Sequence, residues 1–376
     1  MKKTLFFSAL LFAGFGVFGQ EITAVTGQTK GQILFNDFRK IDTHDLSTSK
    51  VLLSKADKIT VEEKETQLSK ICQCGQYIAA MTESAKGDLV YIPMHSPKLA
   101  LIKADSKQGT IFEIPNSVLD PKDQSTFYAR MTTASDGYMY ALNNIGSEFL
   151  KISSNGTIQN LGKIDAFAEF AKSSGVETSV YGGDMISDAF GNVYVLTASA
   201  NVFKINPNNL RTDYLGKIKG LPEGFTVNAA AVERDGSVLL GSSSVNGGFY
   251  TLDFSTLEAE FKVDYNLPVY DLASNFFLKQ DELNQIANLG SNYSLYPTIV
   301  KNSQLNIVSK SDESSVLNIS VWDINQKRVY TNTVSVKSIG EYQVNLKGSL
   351  QPGIYILKAI NQNGKEVINT KFTLMR

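Results

Sequence analysis

Short stretches in which apolar and polar residues alternate dominate the middle of the chain. Segments such as YMYAL, VYVLT and VLLGS are rich in β-branched and aromatic residues, and Asp/Gly turns flank them. Alternation over about four to eight residues is typical of a half-buried antiparallel strand. The chain is therefore predicted to be all-β over most of its length.

The alternating segments recur as a long repeat. Copies begin at Met81, Ala129, Gly182 and Asn228. Their turn glycines are Gly87, Gly137, Gly191 and Gly236, which lie 50, 54 and 45 residues apart by subtraction. Each copy is predicted to form four short strands, and one such meander cannot bury both of its faces. Radial packing of several copies in a β-propeller buries them. Two β-sandwiches, the alternative, would leave the period unexplained.

The number of blades depends on the two ends of the repeat region. Residues 32–55 resemble the second half of a copy, and residues 269–277 resemble a first strand. A blade built from both ends would close the ring and remove its free edges. The sequence thus predicts five four-stranded blades within residues 20–280, or six if residues 56–74 hold further strands. Residues 166–177 have helical spacing and are expected to form a short helix between blades.

The phrase Asp-x-x-Gly-Asn-Val-Tyr-Val, which starts at Asp188, resembles the repeats of NHL-type and related six-bladed propellers. The likeness covers residues 75–280. It implies a propeller that binds its ligand in the central channel or on the loop face. Tyr181 and the Gly-Gly-Asp segment at 182–184 are candidate contributors there.

The first 19 residues, MKKTLFFSALLFAGFGVFG, have the three parts of a secretory signal. Lys2 and Lys3 precede an apolar run, which ends at Gly19 and Gln20. The run is too short to span a bilayer comfortably, so cleavage between Gly19 and Gln20 is expected. No cysteine precedes Cys72, which excludes a lipoprotein signal here. The mature chain is expected to lack a transmembrane segment, because no later apolar run is long enough.

A second change of pattern begins near Asn292. About seven short strands follow, with turns every eight to twelve residues or so, a rhythm that predicts a small Ig-like β-sandwich. Its expected limits are residues 293–376. A linker at 281–292, which starts with a helical turn, would join it to the propeller.

Several motifs stand in order within this last segment. Tyr296 and Pro297 open it, a strand ends at Asp323, and Gly353 and Tyr355 belong to a Leu-x-x-Gly-x-Tyr phrase. Together they resemble the type A sorting domain of the Bacteroidetes type IX secretion system, with departures at residues 298, 299 and 326. The resemblance implies that the type IX machinery recognises residues 293–376. The cargo would then cross the outer membrane, and it would be released or held at the cell surface after the domain is removed.

Composition narrows the classes of partner and chemistry. The 36 Lys and Arg residues nearly balance 37 Asp and Glu residues, so no basic surplus favours nucleic acid. The two cysteines, Cys72 and Cys74, exclude a disulfide scaffold. Buried thiols, a strained local disulfide and half of a metal site stay open for them. His44 and His95 are the two histidines, both expected in exposed turns or loops, and no catalytic motif is recognised.

Three carboxylates recur at one place in the repeat: Asp136, Asp188 and Asp235. An Asp before a glycine forms turns, and the same oxygens are weak candidates for binding Ca²⁺. No other cofactor or metal is predicted. Two functions remain. Scarce histidine favours a non-catalytic module that binds an extracellular protein or glycan. The alternative is a secreted lactonase- or lyase-like enzyme that depends on carboxylates or a divalent metal.

Overall fold

Strands make up most of the protein. The computed structural model describes residues 21–71, 77–244, 248–280, 292–296, 299–300, 303–346 and 350–374. The strands up to the midpoint of the repeats are β1 Glu21–Thr26, β2 Asp37–Asp42, β3 Asp45–Ser54, β4 Lys58–Val61, β5 Lys64–Gln67, β6 Ile78–Glu83, β7 Leu89–Pro93, β8 Lys98–Lys103, β9 Gln108–Glu113, β10 Tyr128–Thr133, β11 Met139–Asn143, β12 Phe149–Ile152 and β13 Ile158–Gly162. One α-helix, α1, follows at Asp165–Ser174.

The remaining strands of the repeat region are β14 Asp184–Ser187, β15 Val193–Leu196, β16 Asn201–Ile205, β17 Thr212–Lys217, β18 Ala229–Val232, β19 Val238–Gly241, β20 Phe249–Asp253, β21 Glu258–Val263 and β22 Val269–Ala273. The strands of the last segment are β23 Tyr293–Tyr296, β24 Ile299–Val300, β25 Gln304–Ser309, β26 Ser315–Asp323, β27 Arg328–Val336, β28 Gly340–Asn345, β29 Gly353–Asn361 and β30 Glu366–Leu374. Short 3₁₀ helices cover Leu68–Lys70, Gln124–Thr126 and Glu177–Val180.

Strands β1 to β22 form five blades around a central channel. Blade 1 contains β6 to β9, blade 2 β10 to β13, blade 3 β14 to β17 and blade 4 β18 to β21; blade 5 has the order β22-β1-β2-β3. The innermost strands are β6, β10, β14, β18 and β22, and each contacts the next around the ring, including β22 with β6. The β-propeller is confirmed, and five blades account for the described residues.

The two ends of the repeat region share blade 5. Strand β22 pairs antiparallel with β1, with Thr23 opposite Ala273 and Val25 opposite Asp271. The predicted shared blade is thus present, and closure leaves no free inner edge. Sequence reasoning missed β1, which supplies the second strand of this blade.

Residues 56–74 do not form a sixth blade where they are described. Strands β4 and β5 are a hairpin added to the outer edge of blade 1. Thr60 and Val61 pair in parallel with Gln108 and Gly109 of β9. The hairpin therefore widens an existing sheet.

Each interface between blades has its own apolar core. Five clusters of buried side chains lie between successive blades, so both faces of every blade are covered. Hydroxyl groups link the inner strands where these strands end. Ser187 Oγ donates to the Thr133 carbonyl at 2.9 Å and Ser274 Oγ to the Val232 carbonyl at 2.7 Å. Apolar burial and these polar links together hold the ring closed.

The turn residues behave as their chemistry predicts. The four turn glycines all have positive φ: 82° for Gly87, 78° for Gly137, 83° for Gly191 and 84° for Gly236. The predicted helix is α1, whose Phe167 is buried against Phe203 with ring centroids 4.8 Å apart. The helical turn predicted after residue 280 lies outside the described residues.

The last segment is a β-sandwich with a separate core. Its described strands number eight: a three-stranded sheet, β23-β25-β28, faces a five-stranded sheet, β24-β30-β29-β26-β27. Apolar side chains from both sheets form one cluster between them. Tyr355 Oη donates to the Gln351 carbonyl at 2.7 Å, a tyrosine-corner arrangement that ties the entry of β29 to its strand.

Two hairpin turns of the sandwich have the same geometry but different residues. Asp323 accepts from the Lys327 amide at 2.9 Å, and Asn361 accepts from the Lys365 amide at 3.0 Å. The residue before each lysine has positive φ, 61° for Gln326 and 77° for Gly364. A side chain in this left-handed region is strained, whereas glycine is not.

Replacing Gln326 with Gly should raise the free energy of unfolding of the sandwich by about 1 kcal/mol, because it removes left-handed strain. The matched control, Gly364→Gln, should lower it by a similar amount. Trp322, the single tryptophan, lies one residue before the end of β26 and beside the first turn, so denaturant unfolding followed by its fluorescence reports on this domain. An unchanged or lower stability of Gln326→Gly would contradict the strain argument.

Candidate functional site

Two buried carboxylates lie at the axis of the ring. Asp184 Oδ2 accepts from the amides of Ala230 at 2.7 Å and Leu272 at 3.2 Å, on the inner strands of blades 4 and 5. Asp271 Oδ2 accepts from the Met81 amide at 2.9 Å, on the inner strand of blade 1. The innermost strands have edges that face the channel, and these side chains satisfy part of their hydrogen-bonding capacity.

Arg130 of the inner strand of blade 2 is also completely buried. Its Nη2 donates to the Asn144 carbonyl at 3.1 Å and to the Val180 carbonyl, and its guanidinium lies 5.4 Å from the centre of the Phe167 ring. Burial lowers the pKa of Arg130 to about 9, which the negative charge of Asp184 partly opposes. Within the described residues, Nε and Nη1 have no hydrogen-bond partner.

Burial also sets the protonation of the two carboxylates. It raises the pKa of Asp184 well above 3.8, against the effects of its backbone hydrogen bonds and of Arg130. It raises that of Asp271 too, and the charge of Asp184 raises it further. Asp271 Oδ1 has no hydrogen-bond partner among the described residues. Asp271 is therefore the member of the pair that is held least well as an anion.

The channel has almost no free space where the inner strands end. The void there is about 10 Å³ and is lined by residues that include Thr82, Ser187 and Phe276. A cavity of this size holds at most one water molecule. The inner strands are therefore closely packed at this point, with apolar residues and a few hydroxyl groups lining the void.

The three recurring aspartates each stabilise a turn of their own blade. Asp136 accepts from the Tyr138 amide at 3.1 Å and from Tyr140 Oη at 2.7 Å. Asp235 accepts from the amide and the hydroxyl of Ser237 at 3.0 and 2.6 Å. The structure does not bring these aspartates together: each serves a separate blade. Within the described part of the chain, no group of three or more His, Cys, Asp or Glu side chains is placed to hold a metal ion.

Asp188, the third aspartate, organises a different surface. It is fully buried, and burial raises its pKa. Its Oδ1 accepts from the Phe190 and Asn192 amides at 3.0 and 2.8 Å. Its Oδ2 accepts from Asn192 Nδ2 at 2.9 Å and Tyr194 Oη at 2.8 Å. The Asn192 side chain is thereby held in one orientation.

The sandwich docks on blade 3 beside this aspartate. Glu341 of β28 places Oε2 at 3.0 Å from Asn192 Nδ2 and 3.1 Å from Lys204 Nζ. Asn206 Nδ2 donates to the Glu341 carbonyl at 3.3 Å, and Arg211 donates to Gln343 Oε1. We call Asn192, Lys204, Asn206 and Arg211 the blade 3 patch. It borders an open polar groove of about 170 Å³ between the two domains.

The chain leaving blade 5 reaches the same region. The Leu278 amide donates to the Ser187 carbonyl at 3.0 Å, and the Ala189 amide donates to the Leu278 carbonyl at 2.8 Å. Further along, Lys279 Nζ lies 5.6 Å from the centre of the Tyr296 ring, at the start of the sandwich. The described start of the connection therefore lies against blade 3, where the sandwich also docks.

Both histidines lie in loops or turns, but only His44 is exposed as expected; the expectation of an exposed His95 was wrong, because two aromatic rings cover its side chain. His95 is half-buried between Tyr77 and Phe127, with ring centroids 4.7 and 4.6 Å away. Burial lowers its pKa. The His44 amide donates to Asp42 Oδ1 at 2.9 Å in an exposed turn. Cys72 and Cys74 lie outside the described residues.

The motif residues of the last segment support its fold. Asp323 caps a hairpin and Tyr355 forms the tyrosine corner described above. A side chain at Gly353 would meet its nearest neighbour, Tyr355, at an ordinary 3.7 Å. Pro297 of the same motif and the expected cleavage positions, Gly19 and Gln20, lie outside the described residues.

Comparison with known families identifies the last segment. Residues 294–373 match the family described as the secretion system C-terminal sorting domain. The type IX sorting domain expected from the motifs is therefore confirmed, and with it secretion or cell-surface localisation. Within the described residues, no helix has the length and apolar character needed to cross a membrane.

Several solved structures are similar to large parts of the chain. Virginiamycin B lyase from Staphylococcus aureus is 10% identical, with a TM-score of 0.37 over 86% of this chain and 94% of that one. The extracellular domain of a putative hybrid two-component system from B. thetaiotaomicron is 12% identical, with a TM-score of 0.35 over 94% and 50%. Myxococcus xanthus glutaminyl cyclase is 12% identical, with a TM-score of 0.34 over 69% and 91%. No curated protein sequence matches the chain. Likeness this low transfers no activity.

Asp271→Asn should raise the free energy of unfolding at pH 7, because it removes a carboxyl group whose charged form is disfavoured by burial and by the charge of Asp184. An acid with a raised pKa in the folded state binds more protons than in the unfolded chain. The contribution of Asp271 to stability therefore falls as the pH rises from 3.8 through its raised pKa. The variant should flatten this fall in denaturant titrations followed by tyrosine circular dichroism.

Asp235→Asn is the matched control, because hydrogen bonds from Ser237 lower the pKa of Asp235. Its carboxylate stabilises the fold above 3.8 and loses that effect as the pH falls through the lowered value. This variant should be less stable than the wild type at pH 7. A loss of stability in Asp271→Asn with an unchanged pH profile would contradict the account of the axis.

Proposed function

We propose that the protein is a secreted or cell-surface propeller that binds an extracellular protein or glycan and does not transform it. The sorting domain provides export, and the ring is the cargo that works outside the cell. Its ligand contacts lie on the outside of the ring, in the polar groove beside blade 3.

The observation that carries this proposal is the packing of the axis. Arg130, Asp184 and Asp271 are the ionisable groups there with shifted pKa values, and all three are completely buried. A void of about 10 Å³ at the end of the channel cannot admit a substrate. A group that transfers a proton to or from a substrate must lie within hydrogen-bond reach of it, so the complete burial of these three groups favours a role in the scaffold for them.

The groove beside blade 3, unlike the closely packed axis, is accessible from solvent. It is open, and charged and amide side chains line it from blade 3: Asn192, Lys204, Asn206, Asn209, Arg211 and Asp213, the last of which pairs with Arg211. Polar side chains of this kind recognise a ligand by hydrogen bonds and charge, without a reactive centre. The geometry therefore supports binding on the surface of the ring.

The test is a binding screen with the mature full-length protein against a glycan array and fractionated extracellular proteins. The proposal expects one ligand class that saturates at one molecule per chain in calorimetry, is recovered chemically unchanged and still binds in the presence of a chelator. Heat-unfolded protein is the control. Ligand that is cleaved or isomerised, or a tightly held divalent ion whose removal abolishes binding, would support the enzyme alternative and overturn the proposal.

A further inference from the structure

Blades 2 and 3 differ in the carboxylate that pairs with an equivalent lysine of each blade. In blade 2, Tyr140 lies opposite Lys151 across two paired strands, and both side chains contact the turn residue Asp136. Blade 3 retains the pair as Tyr194 and Lys204. Counted from the turn glycine, however, the position of Asp136 is held by Phe190.

In blade 3 the lysine pairs with a carboxylate from the sandwich, although Asp188 of the same turn contacts Tyr194. Lys204 Nζ pairs with Glu341 at 3.1 Å, whereas Lys151 Nζ pairs with Asp136 of its own blade at 3.3 Å. The Glu341 side chain is only 6% exposed in this contact. A carboxylate this deeply covered is stabilised when charged and amide donors are directed at it.

One of these donors, Asn192, is positioned independently of Glu341. Asn192 Nδ2 donates to Asp188 Oδ2 at 2.9 Å and to Glu341 Oε2 at 3.0 Å. The first bond belongs to blade 3 alone, and Asp188 is itself fixed by backbone amides. The orientation of the Asn192 amide is thus set before any ligand arrives, which lowers the entropic cost of binding.

The patch also contacts the backbone and a second side chain of the strand it holds. Asn206 donates to the carbonyl of Glu341, and Arg211 to the side chain of Gln343. Glu341 and Gln343 are two residues apart in β28, so they point to the same side of the strand. Gly340 precedes them, and a Cβ there would be only 3.2 Å from the Phe190 carbonyl. Blade 3 therefore binds an extended Gly-Glu-x-Gln segment through its side chains and its backbone.

We propose that the blade 3 patch is a binding site for an extended acidic peptide segment of a partner protein, and that β28 of the sorting domain occupies this site within the same chain. This inference rests on the proposed binding function and names its ligand class. The glutamate of the peptide contacts Lys204 and Asn192, its carbonyl contacts Asn206, and a polar side chain two residues later contacts Arg211.

The experiment uses the full chain and a fluorescent peptide with the sequence of residues 337–345, KSIGEYQVN. A strand tethered in the same chain competes at high effective concentration, so the wild type should bind the peptide weakly. The double variant Glu341→Ala, Gln343→Ala should bind it about tenfold more tightly or better, as expected when a charge-assisted hydrogen bond no longer has to be displaced. Fluorescence anisotropy gives the affinities.

We call a variant that lacks the Glu341 carboxylate an opened chain. Two further substitutions in the opened chain show whether the gain in peptide affinity depends specifically on the lysine of blade 3. Lys204→Met should abolish the gain, and Lys151→Met, the matched lysine of blade 2, should leave it unchanged. Trp322 fluorescence shows whether the double variant is folded. If it is not, Glu341→Gln, which preserves the size of the side chain, is a second way to open the site. A peptide with Gln in place of Glu should bind about tenfold more weakly.

Equal peptide affinity in the wild type and both opened chains, or no effect of Lys204→Met, would overturn the inference. So would binding of oligogalacturonate in preference to the peptide, because the carboxylate would then come from a glycan. If the peptide fails but the binding screen still finds an unmodified ligand, the proposed function stands and only the assignment of this site fails.

Discussion

The closure of the ring by β22 and β1 is the interaction on which the rest of the structure depends. Each blade is a meander with two apolar faces, and it buries both of them because a neighbour stands on either side. An open array would expose one face at each end and two strand edges. Pairing the last repeat strand with β1, Thr23 opposite Ala273, removes these exposed surfaces together.

Closure with five blades brings the innermost strands close together, and the axis is polar as a result. Asp184 and Asp271 bond to amides of inner strands on other blades. These bonds tie strands that are distant in sequence, but they bury negative charge at a cost in free energy. The structure offsets part of this cost with Arg130, whose charge favours ionised Asp184. The specific geometry of the ring and the buried charged groups at its axis both follow from closure with five blades.

The sequence predicts the blades well because each blade is a local structure. Turn chemistry at Gly137 and Gly236 and the alternation around them are readable within a window of a few residues. The similarity of residues 32–55 and 269–277 to parts of the repeat even indicates closure. Strand β1 was missed because it follows the signal segment without a turn motif of its own. The hairpin β4–β5 was not distinguishable from a further blade, since strand patterns do not show which edge a strand joins.

The site is far less readable, because it depends on contacts between distant segments. Asp184 was predicted to contribute to ligand contact, and the structure places it at the axis, bonded to amides of blades 4 and 5. Arg130 was missed, although a charged residue inside an otherwise apolar first strand is a local signal that could have indicated it. No local pattern marks Glu341, which is 137 residues from Lys204. Asp188 was recognised as a turn residue, and the structure gives it a second role in positioning Asn192.

Hydrogen–deuterium exchange of the mature full-length protein tests the closed ring most directly. The amides of β22, Val269–Ala273, should exchange as slowly as those of β6, Ile78–Glu83, because both are inner strands of one cooperative ring. The outer hairpin β4–β5 should exchange much faster and serves as the internal reference. Exchange of β22 at the rate of the hairpin, with β6 still protected, would contradict closure of the ring.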